Sequence, residues 1–69
     1  MDTEEIRKAV RERPFRPFVF CLVDGREIPV KHAGATLVSP RLIVTADERD
    51  WGFLRLKPES IASLRFANE

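Results

Sequence analysis

Few side chains in this sequence could do acid–base, nucleophilic or metal chemistry, and they are scattered. His32 is the single histidine, and it stands beside Lys31 at the end of a strand-like segment. A general base needs a hydrogen-bonded partner and a pocket around it. No Ser–His–Asp or Cys–His arrangement can be built on this spacing, so the favoured reading is a histidine at a strand end. Cys21, the single cysteine, lies between Phe20 and Leu22, an apolar setting in which a thiol behaves as a small, inert hydrophobe. Alone it makes no intramolecular disulfide, and no Cys/His cluster with zinc spacing accompanies it. Asp47, Glu48 and Asp50 crowd one polar stretch, yet they lack the glycine and the ligand spacing of a calcium loop, and Arg49 sits among them. The chain also lacks a glycine-rich phosphate loop. The expectation is a non-enzymatic protein with no cofactor, no metal and no evident small-molecule substrate.

Binding chemistry is better represented. In Trp51–Leu56, strand alternation sets Trp51, Phe53 and Arg55 on one face and Gly52, Leu54 and Leu56 on the other. If the leucines fill the core, Trp51, Phe53 and Arg55 point outward, and these residue types are enriched where partners bind. In the opposite register Phe53 belongs to the core and Trp51 caps one end of it. A second candidate set is cationic: Arg7, Lys8, Arg11, Arg13 and Arg16 gather near the N-terminus, as nucleic-acid binding would require. Asp2, Glu4, Glu5 and Glu12 offset them, so that residues 1–17 carry a net charge of only +1. Arg7, Arg11, Lys31 and His32 are the candidates for RNA contact under this alternative.

The elements that must position these residues follow from spacing. Asp2 with Glu5 three residues on has the form of a helix cap, and Ile6, Ala9 and Val10 make a narrow apolar stripe. A helix over about residues 3–13 follows, ended by Pro14. Pro14–Pro17 is a stiff strap, with Phe15 and Phe18 as anchors. Phe18–Val23, Asp24-Gly25 and Arg26–His32 form a hairpin, expected to turn in type I′ geometry, with Pro29 marking an edge or a bulge. Leu42–Thr45, Trp51–Leu56 and Ala62–Phe66 complete five strands, and Lys57–Ser60 is a tight 3-10 turn. The expected core is Ile6, Val10, Phe15, Phe18, Phe20, Leu22, Ile28, Val30, Leu42, Val44, Leu54, Leu56, Ile61, Leu64 and Phe66.

Sixty-nine residues allow one small domain with a thin stability margin. Twelve Lys+Arg against 11 Asp+Glu argue against strong electrostatic steering toward nucleic acid. The longest apolar run, Phe18–Val23, is far short of the roughly 20 residues of a membrane span. With an acidic start at Met1-Asp2-Thr3-Glu4-Glu5, a cytoplasmic location is expected.

Two resemblances rest on these residues. Glu5-Ile6-Arg7-Lys8, Pro14-Phe15-Arg16-Pro17-Phe18, Leu22-Val23-Asp24-Gly25-Arg26 and Val30-Lys31-His32 resemble a family of short uncharacterised bacterial proteins. These share a helix, a strap of the PFRPF type and a DGR hairpin. The likeness covers about the first half of the chain. It departs at His32-Ala33-Gly34, where the family carries His-Pro-Glu, and it implies a bacterial, cytoplasmic source without an assigned activity. The element order is similar to that of Sm and Hfq proteins: a short helix, a strand-Asp-Gly-strand hairpin, and a turn from Lys57 to Ile61 before the last strand. That likeness implies an SH3/Sm-like small barrel of five strands with one N-terminal helix, and RNA binding by an oligomeric ring. Together these lead to a mainly β (α+β) barrel acting as a protein-interaction module or self-assembling unit through an exposed strand face. An Sm-like RNA-binding ring is the alternative.

Overall fold

The computed structural model describes residues 1–47 and 52–67. Helix α1 covers Thr3–Arg11. Asp2 is extended and caps the helix by accepting a hydrogen bond from the Glu4 N–H at 3.0 Å. Glu4 and Glu5 occupy the first turn, and Lys8 and Arg11 the last, as the helix dipole favours. The helix stops short of the expected residue 13, because Glu12 is already extended and its N–H turns back to the Ala9 carbonyl. Pro14 disfavours helical backbone at the residue before it. The Arg13 guanidinium then takes up the Val10 and Glu12 carbonyls at 3.1 and 2.8 Å.

Six strands follow: β1 (Phe18–Leu22), β2 (Glu27–Val30), β3 (Thr36–Val38), β4 (Ile43–Asp47), β5 (Gly52–Leu56) and β6 (Ile61–Phe66). They form two three-stranded antiparallel sheets, ordered β2-β1-β6 and β3-β4-β5. The expected five-stranded closed barrel is therefore corrected to a mainly β α+β fold of two sheets. The division is visible in the connection between the sheets. After Val30 the chain leaves the first sheet and makes a 3-10 turn at Ala33–Ala35, so no long bent strand carries it from one sheet to the other. Pro58–Ser60, the expected 3-10 turn, separates β5 from β6.

The β1–β2 hairpin turns one residue earlier than type I′ geometry requires. Gly25 donates its N–H to the Leu22 carbonyl at 3.0 Å, which makes Val23 and Asp24 the central residues. Gly25 itself takes φ 94°, a left-handed conformation that glycine adopts without steric cost. The Asp24 carboxylate accepts from the Arg26 backbone N–H at 3.0 Å and from its Nε at 2.8 Å. The Val23 N–H reaches the Ser60 carbonyl at 2.9 Å, joining this turn to the one before β6.

One core lies between the sheets and α1, formed by Ile6, Ala9, Phe18, Phe20, Leu22, Val30, Ile43, Leu56 and Ile61. Phe18 and Phe20 meet edge to face at 5.1 Å, and Phe15 from the strap reaches Phe18 at 5.9 Å. Most of the expected core is buried or packed against it. Two departures remain: Leu54 is half-buried outside this cluster, and the phase of β4 differs, with Ile43 and Thr45 inward, Leu42 exposed and Val44 half-buried. Thr45 is tolerated there because its hydroxyl shares a 2.9 Å hydrogen bond with that of Thr36, its cross-strand neighbour. Both threonines are buried.

That pair gives a direct test of the phase. Thr36→Val or Thr45→Val alone strands a buried hydroxyl and is expected to destabilise the fold by about 1–3 kcal/mol. The double substitution is expected to recover much of the loss, as measured by urea denaturation. Strict additivity of the two effects would contradict the inward placement of Thr45.

Candidate functional site

The second sheet has two unlike faces, and pairing register defines them. Facing the core, Val38, Ile43 and Leu56 form one cross-strand row and Thr36, Thr45 and Leu54 the next. On the outer face, Leu37, Val44 and Arg55 form one row, and Ala46 and Phe53 pair in the row beside it. Directly opposed side chains in such rows have Cβ atoms about 4.5–5.5 Å apart and act as one surface. Phe53 is 75% exposed and Leu37 72% exposed. Val44 and Ala46 are half-buried between them, and Arg55 is exposed at one side. Isolated surface apolar residues are ordinary, whereas a contiguous patch marks an interaction surface.

Of the three residues expected to bind a partner, Phe53 and Arg55 lie together on this outer face, as the outward register requires. Trp51 lies outside the described residues, as do Glu48 and Asp50 of the expected polar loop. Leu37 is the member that sequence reasoning missed. Its signal was the alternation Thr36-Leu37-Val38 between Gly34 and the Ser39-Pro40 turn, too short to stand out as a strand.

The cationic candidates are divided. Arg7 and Arg11 line a groove of about 570 Å³ between α1 and β6, together with Lys8, Leu64 and Phe66. Lys31 and His32 follow the end of β2, on the other side of β1 in the same sheet. Arg7 is paired with Glu4 at 2.9 Å, and Glu5 and Glu12 also line the groove, so its charge is mixed. Its described lining holds neither histidine nor any hydroxyl or thiol side chain.

On the outer face of the first sheet, Cys21 is half-buried, and Arg65 Nη1 lies 3.3 Å from its Sγ. The same guanidinium reaches across β1 to Glu27 on β2 at 2.6 Å. That hydrogen bond and its charge hold the Glu27 carboxyl below its ordinary value and raise the Arg65 pKa. The Asp24 carboxyl is lowered as well, chiefly by the Arg26 backbone N–H. Among the described residues, no group of three or more His, Cys, Asp or Glu is placed to hold a metal ion. No helix there is long and apolar enough to cross a membrane. No protein-family model matches the chain, and neither does any curated protein or solved structure.

Two expectations follow. Because folding lowers the Asp24 and Glu27 carboxyls, their ionised forms stabilise the native state above the ordinary values of 3.8 and 4.5. This contribution is lost as pH falls through the lowered values, so Asp24→Asn and Glu27→Gln should each flatten the acid-side fall of Tm. Slopes identical to that of the native chain would refute the pairing. Truncation should also separate the faces. Phe53→Ala is expected to leave stability within about 0.5 kcal/mol of the native chain, whereas Phe20→Ala, fully buried, costs about 3–5 kcal/mol. Chemical denaturation of the two variants measures both.

Proposed function

We propose that this protein is a non-enzymatic interaction module of the cytoplasm, binding protein through the outer face of the β3-β4-β5 sheet. The observation that carries the reading is the co-location of Phe53 and Leu37, three-quarters or nearly so exposed, in adjacent rows of one sheet face. Burying an apolar surface of this kind favours association through the hydrophobic effect, and aromatic residues are enriched among binding hot spots. Arg55 at the margin adds a directional, charge-assisted contact. Strand β5 ends its sheet, so an extended partner could add to the same region through main-chain hydrogen bonds. An RNA surface would call for cations interleaved with stacking aromatics. The outer face instead has one cation among four apolar residues, and the expected RNA contacts are split between two sites.

Site-specific photocrosslinking in living cells tests this. A photoreactive residue placed at position 53 is expected to yield protein adducts, and the same residue at Lys31, on the edge of the other sheet, is expected to yield few. Adducts to RNA at position 53, or equal labelling at both sites, would overturn the reading.

A further inference from the structure

We infer that the partner at this site is a second copy of the same chain, joined by antiparallel pairing of β5 with its symmetry mate about a two-fold axis at Leu54. The inference rests on the proposed interaction face and concerns its β5 side, where Phe53 and Arg55 lie. It begins from the sheet edges, since an unpaired strand edge is a template for another strand. The other edges are each impaired. Pro29 in β2 lacks an amide donor. Strand β3 has only three residues. Strand β6 has a register irregularity against β1 opposite Cys21 and Leu22, and α1 lies alongside it across the groove. Strand β5, with five residues, pairs regularly with β4 along its length and contains no proline.

The sequence of β5 is self-complementary about its midpoint. Two-fold pairing centred on Leu54 opposes Gly52 with Leu56, Phe53 with Arg55, and Leu54 with itself, which uses all five residues. Both Phe53–Arg55 contacts then fall on the outer face, one on each side of the axis. Directly opposed side chains in an antiparallel pair come close enough for a cation to cover an aromatic ring. The chain already makes this contact internally, with the Arg16 guanidinium 3.9 Å from the centre of the Phe66 ring. Moving the axis by one residue opposes either two Phe53 rings or two Arg55 cations and leaves end residues of β5 unpaired. The second arrangement is repulsive. The Leu54-centred dimer joins the two β3-β4-β5 sheets into one continuous six-stranded sheet and brings the two outer faces side by side.

Charge exchange tests the register as well as the dimer. Sedimentation equilibrium over concentrations from about 1 μM to about 1 mM covers the range expected for a small interface. The native chain is expected to convert from monomer to dimer within it, and Arg55→Glu should weaken the dimer by about tenfold or more. Phe53→Arg opposes two arginines across the axis, and Phe53→Glu with Arg55→Glu opposes two glutamates, so each variant alone should remain monomeric. Mixed together they should form a one-to-one heterodimer, visible by native mass spectrometry, which also shows that both variants fold. A native chain that stays monomeric throughout would overturn the inference, as would failure of the mixed variants to pair. In either case, adducts to a different protein at position 53 would leave the interaction face standing and remove only the self-pairing.

Discussion

Strand β1 is the element on which the remaining contacts depend. It is the centre of its sheet, with β2 on one side and β6 on the other, and its inward residues Phe18, Phe20 and Leu22 are all buried. Against that row pack Ile6 and Ala9 of α1 and Ile43 and Leu56 of the second sheet. A chain of 69 residues has little apolar surface to spend on more than one such row. The two phenylalanines, in edge-to-face contact, supply a large share of what is buried. The strap and the N-terminus are tied to the same framework. The Ala67 N–H donates to the Pro17 carbonyl, and the Met1 amino nitrogen reaches the Pro58 and Ile61 carbonyls.

Placing the core on one side of the second sheet has a consequence for its other side. Strand β4 directs Ile43 and Thr45 inward, so Val44 and Ala46 face away from the core, and their cross-strand neighbours Leu37 and Phe53 must follow. Leu37 and Phe53 are left exposed there, with Val44 and Ala46 half-buried between them, while Ile6 and Ala9 of α1 pack into the core. The apolar outer face is thus a product of register, fixed by the Thr36–Thr45 hydroxyl contact and the burial of Ile43. A one-residue slip in β4 would bring Val44 inward and expose Ile43, exchanging the two faces.

Much of this was legible in the residues, wherever a local signal was unambiguous. Asp2 and Pro14 bracket α1, Asp24-Gly25 marks the hairpin, and Pro58 opens the 3-10 turn; each acts within a few positions of itself. Alternation in β5 separated its leucines from its Phe/Arg pair but left open which set faces the core; the burial of Leu56 opposite Ile43 decides it. Strand β4 was not legible, since Leu42-Ile43-Val44 is apolar at every position and alternation carries no phase there. Its inward threonine is decided by Thr36, nine residues away and in a strand too short to recognise. Division into two sheets instead of closure into a barrel was likewise hidden. It depends on where β2 stops and which strand β3 joins, and these are long-range outcomes of packing.

Amide hydrogen exchange at two protein concentrations tests most directly whether β5 carries the association surface. Edge-facing amides of Gly52–Leu56 should exchange markedly more slowly in concentrated than in dilute solution, while those of β2 and β6 stay unchanged. Concentration-independent exchange along β5, or new protection at β2 or β6 instead, would contradict that role.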